Sequence, residues 1–403
     1  MKQKHIYRCS LLVPVALFAV WSLNKFVKTP HAPKRVYFGS PKVLLASLPF
    51  ADSVEAMRWS PNGAFIAMGG CINYDKSIHE IVVVSVKLRR IVARIRVPAD
   101  ATHAFNWTVD NRLWMESGDG WNVYASPFKN KVHVSAKLPQ RALAKVKGGN
   151  GLDESVVVKD AVRQTVLLSF QDEVMQQEGN RYWFDTKRHI EVWRNGRVIH
   201  KTQFKPQEEG SSRKLNFTFN PDASDIAITV TGWIGHEAEG AGEIWLLDIK
   251  TGRLTLLHRG QVGAGLWDYP VQNVEPSWSK DGKTIVFGDR EFGVEKINVV
   301  TGRHKQILPT GWGGSKAAIS PDGAWIGFHY SGDKDSKDRV SIASRDGKTW
   351  GCVPEKFTAF SIDNLSWHPT QNVLAWASLP SNYNPCCGKS SQNTYSLYTW
   401  RIK

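Results

Sequence analysis

Apolar and polar positions follow one phrase that recurs along the chain: an aromatic or aliphatic residue, a short turn rich in Pro, Asp, Asn and Gly, then a β-branched or aromatic run. The copies are "WSPNGAFIAM" from Trp59, "WTVDNRLWM" from Trp107, "FNPDASDIAIT" from Phe219, "WSKDGKTIVF" from Trp278, "ISPDGAWIGF" from Ile319 and "WHPTQNVLAWA" from Trp367. A degenerate copy, "VKDAVRQTVLLSF", runs from Val158 to Phe170. Pro presets φ, Gly and Asn accept positive φ, and branched side chains suit a pleated surface, so each copy predicts a strand, a tight turn and a second strand. Successive anchors lie 48, 51, 61, 59, 41 and 48 residues apart, a spacing that predicts one four-stranded sheet per repeat.

Outward from each anchor the same four-strand order is legible. The fourth repeat reads "LNFTFNP", "DIAITVT", "GEIWLLDI" and "RLTLLHR", and the fifth reads "NVEPSWS", "KTIVFGD", "GVEKINVVT" and "RHKQILP". Glycine-bearing turns, "RNG", "KTG", "VTG" and "RDG", join third to fourth strands. The seventh repeat stops after three strands, whereas "KVLLASLPF" (Lys42 to Phe50) reads as an outer strand with no sheet of its own. Pairing the two closes a ring and removes two sheet edges. The expected fold is therefore all-β: a seven-bladed β-propeller over residues 42–403, closed by an N-terminal strand that completes the last blade.

"WSKDGKTIVF", "ISPDGAWIGF" and "GEIWLLDIKTGR" resemble the repeats of TolB-type, or WD-like, β-propellers of bacterial envelope proteins. The resemblance covers residues 42–403 and speaks for fold more than for function, because such blades occur in import proteins, peptidase propeller domains and oligogalacturonate lyases. There is no G-x-S-x-G motif with a following α/β domain, and the small N-terminal α/β domain of TolB itself is missing.

Ahead of the repeats, residues 1–9 form a basic leader and residues 10–27 hold the apolar stretch "SLLVPVALFAVWSL", read as a hydrophobic helix serving as signal anchor or signal peptide. Residues 28–41 read as a linker. This organisation implies an exported, membrane-tethered body, periplasmic or secreted. The net charge of +15, from 52 Lys and Arg against 37 Asp and Glu, favours anionic partners, with acidic polysaccharide among them. The charge is dispersed and no nucleic-acid module is present, so no nucleic acid is expected as partner.

In a meandering blade, turns one-to-two and three-to-four share one end of the strands. The two-to-three turns and the crossovers share the other. The long segments fall in the second class: Gln171 to Arg188, Thr231 to Gly242, Ser331 to Asp338, Leu379 to Gln392 and the crossover Gly260 to Asn273. A rigid scaffold presents a binding surface in this way. The candidate binding residues there are Tyr182, Trp183, His236, Glu237, Trp267, Asp268, Tyr269, Trp312 and Tyr383, since flat rings and oriented acceptors suit a clasped peptide or a sugar face. Cys71 and the pair Cys386 and Cys387 fall in matching loops of blades one and seven, where a disulfide would staple the ends of the chain; free buried cysteines are the alternative.

No catalytic residue, cofactor or metal site is expected. No Walker A loop occurs, the acidic turn at Asp333, Asp335 and Asp338 lacks the glycine and glutamate of a calcium loop, and His79, His103, His236, His304 and His329 are scattered. The expected function is partner-protein binding through the loop-rich face without catalysis. The alternative is a lyase- or lectin-like protein acting on acidic saccharides.

Overall fold

The computed structural model describes residues 34–402 apart from 52–53, 74–75, 99–101, 103–104, 109, 118–119, 136–154, 160–164, 171–174, 179–180, 185–187, 195–196, 205–212, 223, 235–238, 261–275, 290–292, 309–315, 332–337, 355–356, 358 and 381–393. The basic leader and the apolar stretch lie outside the described residues. Among the described residues no helix is long and apolar enough to cross a membrane.

Two short strands come first, β1 (Lys34–Arg35) and β2 (Lys42–Leu45). A first four-stranded antiparallel array follows, β3 (Val54–Trp59), β4 (Phe65–Asn73), β5 (Ile78–Ser85) and β6 (Arg90–Val97). The second holds β7 (Phe105–Trp107), β8 (Leu113–Ser117), β9 (Gly120–Tyr124) and β10 (Lys131–Ser135). The third contains β11 (Ser155–Lys159) and β12 (Thr165–Phe170), then a separate hairpin of β13 (Met175–Glu178) and β14 (Arg181–Phe184), then β15 (Arg188–Arg194) and β16 (Arg197–Phe204). The fourth is β17 (Arg213–Phe219), β18 (Asp225–Ile234), β19 (Glu239–Asp248) and β20 (Leu254–Gly260). The fifth is β21 (Ser277–Trp278), β22 (Thr284–Asp289), β23 (Gly293–Asn298) and β24 (His304–Leu308). The sixth is β25 (Ala317–Ile319), β26 (Trp325–Ser331), β27 (Asp338–Ser344) and β28 (Thr349–Cys352). The last comprises β29 (Ala359–Trp367), β30 (Val373–Pro380) and β31 (Ser396–Arg401), with β2 antiparallel beside β31, Lys42 opposite Thr399 and Val43 opposite Tyr398.

Second strands are buried on both faces, which is why they read as unbroken apolar runs: all six residues of β22 are buried, and Ile66, Ala67 and Met68 of β4 are fully inaccessible. Outer strands such as β6 alternate instead. The core is accordingly a series of layers between consecutive arrays. One layer joins the first array to the second through Ile81, Phe105 and Leu113. Another joins the last to the first, packing Leu48, Phe50, Met68 and Val82 against Ala375, Tyr395 and Leu397. Each fully buried aliphatic or aromatic side chain contributes about 1.5–3 kcal/mol.

The recurring phrase has a structural reason. Where the anchor is tryptophan, its indole N–H donates to the carbonyl of the residue just before the anchor of the preceding array. Trp107 donates to Arg58 at 3.0 Å, Trp278 to Thr218 at 3.1 Å and Trp367 to Ala318 at 2.9 Å. Trp59 donates to Ser366 at 3.1 Å and so links the first array to the last. Five residues follow the first strand of every array, for instance 60–64, 279–283 and 368–372. By that count Lys159, not Val158, holds the anchor position of the third array, which has no indole to donate.

Inside the turn the serine and the acidic residue work as a pair. Ser279 Oγ donates to Asp281 at 2.6 Å and accepts from the Thr284 amide at 3.0 Å, while Asp281 accepts from the Lys283 amide at 3.1 Å. Ser320 with Asp322 and Ser60 with Asn62 repeat the arrangement. In the seventh copy His368 replaces the serine, its Nδ1 accepting from the amides of Thr370 and Gln371 at 3.2 Å. Its ring packs on Trp59 with centroids 4.9 Å apart and lies so close to Gly63 that a Cβ there would sit 1.8 Å from Nε2. Gly63 also has φ of 69°, so glycine is required twice over.

The stretch read as a linker docks from Lys34 onward. β1 pairs in parallel with β28, covering the outer edge of the sixth array. The Val36 amide donates to the Trp350 carbonyl at 2.7 Å, Phe38 packs edge-on to Trp325 and Trp400, and the Trp400 indole donates to the Phe38 carbonyl at 3.1 Å.

Replacing Trp59 by Phe keeps a ring but leaves the Ser366 carbonyl without its donor, and should cost about 1–3 kcal/mol. Urea unfolding measures it, and an unchanged midpoint would remove the indole link from the account. The turn carboxylates give a pH signature. The Ser344 hydroxyl and the Lys348 amide hold Asp346 down at about 2, below its ordinary 3.8, and the Ser279 hydroxyl and Lys283 amide lower Asp281. Their folded values lie below the unfolded ones, so the stabilisation is complete above about pH 4 and is lost as pH falls toward 2. Thermal unfolding should therefore weaken across that window, and less steeply in the Asp281→Asn, Asp346→Asn double variant; equal slopes would contradict the assignment.

Candidate functional site

The strand bounds divide the connections sharply between the two ends of the arrays. At the one-to-two and three-to-four end none is longer than six residues, the longest being 125–130. At the other end lie 136–154, 171–187, 261–276 and 381–395. Two segments expected as loops are largely strand. Thr231 to Gly242 is the tip of a long hairpin in which Trp233 faces Gly240 and Ile234 faces Glu239, because β18 and β19 run on for ten residues each. Within Gln171 to Arg188 the β13–β14 hairpin forms, Tyr182 opposite Gln177 and Trp183 opposite Gln176. Tyr182 and Trp183 thus occupy adjacent positions on one ribbon beyond the third array. His236, Glu237, Trp267, Asp268, Tyr269, Trp312, Tyr383, Cys386 and Cys387 lie outside the described residues. Cys71 is buried in β4. Cys352 ends β28, its Sγ 3.4 Å from the Arg35 guanidinium.

First strands of several arrays surround a cavity of about 410 Å³. Polar side chains on its wall include Glu55, Arg58, Asn106, Lys316, Asn364 and Ser366. Thr102 donates to the Glu55 carboxylate and Asn364 donates to the Val54 carbonyl at 2.8 Å. Among the described residues no histidine lines it.

Histidines converge elsewhere, at the junction of the fourth and fifth arrays. His258 on β20, Glu295 on β23 and His304 on β24 each place a ligand-type atom within 4.8 Å of the others. His258 Nε2 lies 3.0 Å from Asp289 Oδ2, at the end of β22, and its Nδ1 lies 3.6 Å from Glu295 Oε2. His304 Nε2 lies 2.8 Å from the Leu257 carbonyl and its Nδ1 lies 3.8 Å from the same Glu295 oxygen.

Two irregularities in the sheet create this geometry. In β19–β20 the register steps from Ile244–His258 to Trp245–Leu256, so Leu257 is an extra residue, and its carbonyl is the one that meets His304. The same step in the next array, Val294–Leu308 to Glu295–Gln306, falls beside Glu295. Asp289 is wholly buried and His258 and Glu295 are 7% exposed. Burial pushes the Glu295 carboxyl upward against the opposing pull of His258 and His304. The sequence offered no spacing signal for this cluster, since the residues come from four strands over 47 positions, 258–304.

No family model and no curated protein matches the sequence. A chain from the crystal structure of the mitotic checkpoint complex is similar over 94% of this chain and 97% of its own, with a TM-score of 0.52 and 14% identity. The β-propeller domain of Myceliophteria thermophila Cps50 (Swd1) is similar over 89% and 99%, with 0.46 and 9%. Kuenenia stuttgartiensis hydrazine synthase is similar over 78% and 98%, with 0.40 and 15%. The architecture is a β-propeller. The likeness above 0.5, at 14% identity, bears on fold alone.

In this β-propeller Gly260 is packed against the polar groups of the fourth-to-fifth junction. A Cβ on Gly260 would lie 2.5 Å from Asp289 Oδ2 and 2.8 Å from His258 Nε2. Gly260→Ala should therefore destabilise the protein by about 1–3 kcal/mol through overpacking. Gly302→Ala, where the space is open but φ is positive, gives the cost of backbone strain alone. No loss for Gly260→Ala in urea unfolding would show that the junction tolerates the added carbon.

Proposed function

We propose that the protein is a seven-bladed propeller, closed by β2 on β31, that holds a partner protein on the end of the disc bearing the long connections. The observation that carries this reading is the asymmetry of the two ends: connections of at most six residues on one, and segments such as 136–154 and 261–276 on the other. A scaffold whose sheets are locked together presents long segments at little cost to its own stability. One similar chain comes from a multiprotein complex, which agrees with a scaffold role. The proposal extends to membrane tethering through residues 10–27, with the body exported and its repeats of TolB type.

In-cell crosslinking of the tagged full-length protein tests this. Paired substitution of Tyr182 and Trp183, or of Trp267 and Tyr269, by alanine should cut the crosslinked partner by more than tenfold, as for aromatic anchors of an interface. Paired substitution of the exposed Lys250 and Arg303 at the short-turn end should leave it unchanged. Loss only in the short-turn variant, or in neither, would place the interface elsewhere.

A further inference from the structure

We propose that His258, Glu295 and His304 form a site for a divalent transition metal ion, with Zn²⁺ the ion whose preferences they suit best. The proposal rests on described residues of the fourth and fifth arrays and does not depend on the partner-binding reading.

Four observations converge. First, the donor set is two imidazoles and a carboxylate, a set that zinc accepts with a fourth position for water. Second, the far nitrogen of each imidazole is already engaged: His258 Nε2–H donates to Asp289 at 3.0 Å and His304 Nε2–H donates to the Leu257 carbonyl at 2.8 Å. Such outer partners fix the tautomer of metal-bound histidines. With those protons in place, both neutral rings turn an Nδ1 lone pair toward Glu295 Oε2. Third, that oxygen is buried and has no hydrogen-bond partner among the described residues. Its distances of 3.6 and 3.8 Å to the two nitrogens are too long for hydrogen bonds. Fourth, those distances approach the spacing a metal imposes. Ligands about 2.0–2.1 Å from a tetrahedral ion stand about 3.3–3.4 Å apart, and the three donors already lie within 4.8 Å of one another, so closure draws them inward around the ion.

The geometry also separates this site from an ordinary histidine link between arrays. His200 Nε2 likewise meets a carbonyl of the neighbouring array, that of Lys250, at 2.8 Å. It belongs to no described carboxylate cluster of this kind.

The experiment uses the full-length protein, stripped with a chelator and returned to neutral pH. Zn²⁺ titration by calorimetry should show one equivalent in the wild type and in His200→Ala, and that equivalent should be missing from His304→Ala. Co²⁺ should give the visible absorption of a low-coordinate nitrogen–oxygen site in the wild type and in His200→Ala, and not in His304→Ala. Asp289→Asn should weaken Zn²⁺ by about 10–100-fold, as for other partners of metal-bound histidine. His304 is substantially exposed, and His304→Gln, which retains an N–H donor for Leu257, serves if the alanine variant misfolds. Absence of a stoichiometric equivalent in the wild type, or its persistence in the folded His304 variants, overturns the proposal.

Discussion

One hydrogen bond, an indole N–H given to the carbonyl of the neighbouring first strand, sets the geometry on which the sheets depend. A four-stranded sheet of this kind buries its middle strands only when another sheet covers each face. The apolar layers supply the free energy but are non-directional and would tolerate sliding. The indole bond is directional, and in the first, second, fifth and seventh arrays it fixes each first strand at the same height relative to its predecessor. Where the anchor is not tryptophan another group takes over, as when Ser277 Oγ accepts from the Ile319 amide at 3.0 Å.

The turn that follows the anchor serves the same end. Serine and aspartate satisfy the amides of the five-residue turn and hold the second strand at a constant offset from the anchor. Asp281 carries a depressed pKa because hydrogen bonds from the Ser279 hydroxyl and the Lys283 amide favour the ionised form. Anchor and turn together amount to a phasing device. That explains why the phrase is strict while the rest of each repeat varies in length.

How far the sequence reveals this follows from the range of each interaction. The anchors, the turns and the fourth strand standing apart at Lys42 to Leu45 were legible because turn chemistry acts over five residues and leaves a repeated mark. The third anchor was misplaced by one residue because Lys159 carries no indole and no serine follows it. The β13–β14 hairpin and the extension of β18 and β19 were read as loop, since neither has the branched run that marks a buried strand. The docking of Lys34 and Arg35 was hidden for a related reason. A two-residue parallel strand pairs through its backbone, and its side-chain contact, Arg35 over the Trp350 ring at 5.5 Å, joins positions over 300 residues apart. The cluster at His258 depends on two bulges, which leave no trace in spacing.

That cluster stands at the junction of the fourth and fifth arrays. Between the fourth and fifth arrays Ile244, Ile285, Phe287 and Ile297 are fully buried. Polar groups out of water share the junction with these apolar residues. Asp289 and Glu295 bring two carboxylates there. Two charges so deeply placed cost several kcal/mol each unless balanced nearby. Two protonated histidines would balance them, but burying imidazolium carries its own desolvation cost. A divalent ion supplies the same two charges in one centre, leaves both rings neutral and uses the lone pairs that already converge. An ion held by His258, Glu295 and His304 would tie β20 of the fourth array to β23 and β24 of the fifth.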